Sequence, residues 1–149
     1  MSWSGGCQCG AVRYRVEGEL GRASICHCRM CQKALGGPFG AFVSVKADQI
    51  TWTHGGRRRF ASSNKVRRGF CADCGTPLTF EWSEAVVDLA FYTFDRAGDV
   101  VPTVQLEASA AAPWVRGIAD LPVRDAASEP HLAGYYSSVV SNQHPDRDT

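Results

Sequence analysis

Seven cysteines limit what this chain can fold into more than any other feature. They form three groups in its first half: Cys7 and Cys9 in "CQCG", Cys26, Cys28 and Cys31 in "SICHCRMCQK", and Cys71 and Cys74 in "CADCG". An odd number cannot pair completely as disulfides. The opening "MSWSGGCQCG" lacks the basic and apolar regions of an export signal. The reading is therefore a cytoplasmic, reducing setting, in which closely spaced cysteines are metal ligands.

A Cys-x-x-Cys followed by glycine makes a tight turn that aims two sulfurs at one ion. The glycine supplies the positive φ such a turn needs after its second ligand. "CQCG" is one residue shorter but has the same glycine. Two thiolates from each group close a tetrahedral zinc site. Cys9 and Cys71 are 62 positions apart, so that ion closes a long loop and is structural.

Cys26, Cys28 and Cys31 then remain as three ligands with a fourth place open, the pattern of a catalytic zinc. His27 lies between two of these cysteines, and its side chain is expected to point away from their shared ion. Other divisions stay open on spacing alone. Cys71 and Cys74 suit a redox pair. His54, His131, His144 or an aspartate would complete a second structural site. Cys7 and Cys9 could instead join the 26–31 group.

Charge narrows the chemistry. Zinc with four thiolates carries formal −2, and with three it carries −1, which nearby cations and backbone N–H groups must offset. Arg29, Lys33, Arg67 and Arg68 adjoin the cysteines in sequence. Three thiolates make zinc a poor generator of hydroxide but a good partner for a soft ligand. A thiol bound there is held as thiolate, the nucleophilic form of sulfur. The open place thus points to a thiol substrate and a small electrophile.

Around the cysteines the pattern is mainly β. "AVRYRV" (11–16) alternates, with Val12, Tyr14 and Val16 on one side. Strands are also expected over 40–45, 50–53, 57–60 and 76–82, with a longer buried one over 85–94 and one more short strand after 101. One short helix is expected over 29–35, stopped by Gly36, Gly37 and Pro38. Residues 1–123 are taken as one zinc-binding domain and 124–149 as a polar tail. In that tail Tyr135, Tyr136, Val139 and Val140 form the cluster expected to dock, and the last six or so residues are expected to be loose. Formal net charge is +1 and no long basic tract occurs, so nothing global suggests nucleic acid; no apolar run is long enough to cross a membrane.

The runs "GGCQCGAVRYRVEGE", "SICHCRMCQKALGGPFGAFVSV" and "RRGFCADCGTPLTFEW" resemble the glutathione-dependent formaldehyde-activating enzyme family, which includes centromere protein V-like proteins. The resemblance spans residues 3–122 and includes all seven cysteines and Cys-His-Cys-x-x-Cys-x-Lys. It implies an Mss4-like fold of several coiled β-sheets and two zinc ions. Cys7, Cys9, Cys71 and Cys74 would hold the structural one, and Cys26, Cys28 and Cys31 the catalytic one. The implied activity is that of a carbon–sulfur lyase joining glutathione and formaldehyde into S-hydroxymethylglutathione. Glutathione is anionic, so Lys33, Arg67 and Arg68 are its candidate partners, with Phe39 of "GGPFG" as a pocket wall. Arg57, Arg58 and Arg59 read better as a solvated strand face. The alternative is a non-catalytic zinc module that binds protein or nucleic acid, with centromere protein V-like relatives as its basis.

Overall fold

The computed structural model describes residues 1–147. Ten strands form two sheets. Strands β1 (Ser2–Gly6), β2 (Arg13–Glu17) and β5 (Ile50–His54) make a three-stranded antiparallel sheet in the order β1-β2-β5. The larger sheet adds β3 (Ala23–Cys26), β4 (Gly40–Lys46), β6 (Arg58–Ala61), β7 (Arg67–Phe70), β8 (Pro77–Glu81), β9 (Val86–Ala90) and β10 (Val104–Leu106). Its order is β10-β3-β4-β9-β8-β7-β6, antiparallel except where β10 runs parallel to β3. Two helices, α1 (Arg29–Leu35) and α2 (Pro130–Ser138), accompany several short 3₁₀ turns. The expectation of a mainly β chain is met.

The core lies between the sheets. Tyr14, Val16, Val43, Leu78 and Leu89 have no exposed surface. Tyr14 packs edge-on against Phe94 and Trp52, at 5.6 and 5.7 Å between ring centres. Its hydroxyl shares a 2.7 Å hydrogen bond with Thr93 Oγ1, so the buried phenol is satisfied. Alternation along β2 holds for Tyr14 and Val16, but Arg13 is also buried. Asp95 receives it in a two-pronged ion pair, at 2.9 Å to Oδ1 and 2.7 Å to Oδ2. A charge leaves water at tolerable cost only with such a partner.

One expectation needs correction, and three strands, β1, β3 and β7, lie outside those expected. The strand expected over 85–94 ends at Ala90, because Phe91–Thr93 turn as a 3₁₀ segment that buries Phe91 and brings Phe94 back beneath β1. Strands β1 and β3 carry too little alternation to announce themselves. β1 is "SWSGG", where a Cβ on Gly5 would lie 2.5 Å from the Thr93 carbonyl oxygen and 2.6 Å from the Tyr14 hydroxyl. Glycine is there for close approach, at the expense of strand propensity.

The tail also differs. Tyr135, Tyr136, Val139 and Val140 remain exposed. Further along, the His144 amide donates to the Gln8 carbonyl at 2.6 Å, and Arg13 Nη2 donates to the Arg147 carbonyl at 2.8 Å. Docking thus falls to 144–147, within the stretch expected to be loose; Asp148 and Thr149, included in that expectation, lie outside the described residues. No helix among the described residues is long and apolar enough to cross a membrane.

Candidate metal centres

Two sulfur clusters emerge, each with every Sγ within 4.8 Å of the others: Cys7, Cys9, Cys71 and Cys74 in one, Cys26, Cys28 and Cys31 in the other. All seven cysteines are free. Of the divisions open on spacing, the sulfurs adopt the four-plus-three grouping.

The first cluster joins two turns. After Cys7 the chain folds back, with Cys7 N donating to the Val12 carbonyl and Gly10 N to the Cys7 carbonyl. The second turn repeats this plan, with Cys71 N on the Thr76 carbonyl and Gly75 N on the Cys71 carbonyl. Gly10 and Gly75 have φ of +81° and +78°, the left-handed backbone expected just past each second cysteine. Gln8 N donates to Thr76 Oγ1 at 3.0 Å and so locks one turn on the other. The sulfurs of Cys7 and Cys9 are 3.6 Å apart, and those of Cys9 and Cys71 are 3.9 Å apart. A tetrahedral zinc with bonds of about 2.3 Å would set its sulfurs roughly 3.8 Å from one another, so this donor set fits zinc in element, number and spacing.

The second cluster is local. Cys26 ends β3, Cys28 caps α1, and Cys31 lies on its first turn. Cys28 Sγ accepts a hydrogen bond from Cys31 N at 3.4 Å, so a ligand also serves as the helix cap. Gly36, at φ +65°, ends α1 as expected.

Arg68 completes the surroundings of this trio. Its Nη2 donates to Cys31 Sγ at 3.3 Å, its Nε to Ser62 Oγ at 2.9 Å, and its guanidinium lies 4.8 Å from the Phe80 ring centre. Of the four cations adjoining the cysteines in sequence, Arg68 is the buried one; Arg29, Lys33 and Arg67 are exposed. The fit to a metal follows from charge. Three clustered sulfurs beside a buried guanidinium make a set that can carry −1 once zinc is among them.

Without a cation the thiols resist joint ionisation. Burial pushes Cys7 and Cys26 up to about 12, with neighbouring thiols adding to the rise. Burial also raises Cys74, but hydrogen bonds from the Thr76 side chain and backbone outweigh it and bring this thiol down to about 6. Cys28 is lowered too: burial opposes the change, while hydrogen bonds from Cys31 and neighbouring groups favour the thiolate.

His27 stays out of the sulfur cluster. It is 2% exposed, its Nε2 is 3.0 Å from Gln105 Oε1 on β10, and its ring meets Phe39 edge-on at 5.8 Å. Phe39, expected as a pocket wall, thus packs on His27. Arg57 and Arg59 are not simply solvated, since both reach Glu81, Arg57 Nε at 2.5 Å and Arg59 Nη1 at 3.3 Å. Gln105 gave no sign in the sequence, because its tie to His27 spans 78 positions.

The comparisons agree with this architecture. The model of the family described as glutathione-dependent formaldehyde-activating enzyme matches residues 2–109. An uncharacterized lyase of Schizosaccharomyces pombe is 31% identical over 81 residues, covering 54% of this chain and 58% of that protein. The chain thus matches little more than half the length of this curated relative. A Rhodobacter sphaeroides protein of known crystal structure superposes with a TM-score of 0.54 at 15% identity, covering 68% of this chain and 98% of that one, a likeness of fold alone. Since the family match takes in most of the sequence and all seven cysteines, the chain belongs to the glutathione-dependent formaldehyde-activating enzyme family.

Proposed function

We propose that this protein is a zinc-dependent carbon–sulfur lyase that joins a thiol to a small aldehyde, similar to S-(hydroxymethyl)glutathione synthase. The carrying observation is the inequality of the clusters: four sulfurs in one, three in the other with Arg68 against them. Zinc held by Cys7, Cys9, Cys71 and Cys74 is then structural. Cys26, Cys28 and Cys31 would hold the catalytic zinc, and the chemistry it would supply is activation of a thiol as its thiolate. Arg68 offsets the charge of the sulfurs and fixes Cys31. His27, braced by Gln105 and Phe39, stiffens the backbone between Cys26 and Cys28. Orientation provides most of the rate, because hemithioacetal formation is an easy reaction once sulfur and carbonyl meet.

The family description supports glutathione as the thiol. Exposed Lys33 and Arg67 remain the candidate partners for its carboxylates, whereas buried Arg68 serves the cysteine side. Exchange NMR with zinc-loaded protein, glutathione and formaldehyde should show hemithioacetal formation faster than in buffer. No acceleration across several thiols and aldehydes would sink the enzyme reading. Arg67→Ala should raise KM for glutathione several-fold and leave KM for an uncharged thiol such as 2-mercaptoethanol unaltered.

A further inference from the structure

A cavity of about 220 Å³ lies between α1 and the β6–β8 part of the larger sheet. Its apolar walls are Ala34, Leu35, Phe42, Phe60, Phe70 and Pro77. It adjoins both cysteine regions: Ala34 and Leu35 follow Cys31 along α1, and Gly75, also in the wall, follows Cys74. Phe60 is 46% exposed, which leaves its ring at the mouth.

Arg68 and Thr79 are the lining side chains with hydrogen-bonding groups. Thr79 is engaged, since its hydroxyl donates to Glu81 Oε1 at 2.6 Å. Arg68 is engaged through Nε and Nη2, but its Nη1 has no hydrogen-bond partner among the described residues although the residue is only 4% exposed. The Arg68 side chain thus brings one positive charge both to the cavity wall and to Cys31.

Size and lining define that ligand. An apolar cavity of about 150 Å³ suffices for benzene, and this one is larger. A one-carbon aldehyde has no use for such a space. We propose that the cavity receives the apolar substituent of the carbonyl substrate, a phenyl ring or short alkyl chain, with the positive charge of the Arg68 guanidinium at its wall drawing the carbonyl oxygen. This inference rests on the thiol–aldehyde reading and extends its substrate class. The same guanidinium touches Cys31, so the carbonyl carbon comes to lie at the border between cavity and sulfurs. The thiolate sulfur adds to that carbon and the carbonyl π pair moves to oxygen. The proton given up by the thiol ends on that oxygen, and nothing is oxidised or reduced.

Unreactive amides keep the carbonyl oxygen and isolate this binding step. Full-length, zinc-loaded protein should be titrated with formamide, acetamide, butyramide and benzamide, following the NMR signals of Ala34, Phe42, Phe60 and Thr79. Affinity is expected to rise at least tenfold from acetamide to benzamide, with shifts at these residues. Ala34→Phe should abolish the shifts, and Arg68→Lys should weaken benzamide binding several-fold, with zinc content as the check on folding. If Ala34→Phe fails that check, the wild-type series decides alone. Equal affinity across the series, or shifts confined to other residues, overturns the proposal. Benzamide bound in the cavity with no adduct formed from any thiol and aldehyde supports the cavity and removes the lyase reading. Adduct formation from formaldehyde with no amide binding removes the cavity and keeps that reading.

Discussion

The four-sulfur cluster is assembled from turns 62 positions apart, whereas the three-sulfur cluster comes from six consecutive residues at one strand–helix junction. The first cannot exist until β1, β2, β7 and β8 have found their places. The second needs only the cap and first turn of α1. Metal binding at the distant pair of turns is therefore coupled to folding, while the local trio can lose an ion and keep its surroundings. Their neighbours differ in the same sense. The four-sulfur cluster is held by backbone amides and Thr76, groups that fix geometry. The trio is flanked by a buried guanidinium, a group that tunes charge.

Breaking each cluster in turn tests this contrast. Cys71→Ser should have the largest effect. Structural zinc contributes about 10–16 kcal/mol of apparent binding free energy in small zinc domains, as much as a domain's whole stability. The variant should be insoluble or lack a cooperative melt by circular dichroism. Asp95→Ala comes next, because it leaves Arg13 buried beside the first cluster without its carboxylate. A loss of about 3–5 kcal/mol is expected from chemical denaturation. A loss below about 1 kcal/mol would mean that the other partners of Arg13, the Arg147 carbonyl among them, satisfy its charge.

Cys28→Ser should act on the other side of the contrast. Zinc content should fall from two ions per chain to about one by atomic emission, with activity lost and the melt still cooperative. Unfolding here would erase the distinction between the clusters.

The smallest effect is in the acid range. Burial disfavours the Asp95 and Glu81 carboxylates, but hydrogen bonds and charge from Arg13 and Ser4, and from Arg57 and Thr79, hold both below the usual carboxylate range. A carboxyl with a lowered folded pKa adds stability above its unfolded value, about 4, and loses it as pH falls through the folded one. The carboxylate contribution to the stability of the zinc-loaded protein, read from denaturation midpoints, should be flat above about pH 5 and drop below about pH 4. Asp95→Asn should flatten part of that drop.

Much of this was legible in the residues. α1 is written locally, in the run after Cys28 and the stop at Gly36 and Pro38, so its bounds match expectation. β4, β5 and β8 follow from alternation and turn residues within a few positions. β1 was hidden because Gly5 and Gly6 answer to a close approach by Thr93 and Tyr14, partners far along the chain. The burial of Arg13 was hidden for the same reason: its partner is 82 positions away. Lys33, Arg67 and Arg68 looked alike as cations near cysteines, and only pairing of β7 with its neighbours turns Arg68 inward to Cys31 while Arg67 faces solvent.

By itself the sequence determined the chemistry available: seven thiols in three groups, whose spacing and following glycines dictate the turns that carry them. Turn geometry and ligand spacing act over a few residues, so they can be read without a fold. Tertiary structure decided which cation meets the trio, which charge is buried against Asp95, and that a cavity opens between α1 and the sheet. Those outcomes depend on side chains tens of positions apart coming together in a dry interior, and local rules carry no information about that meeting.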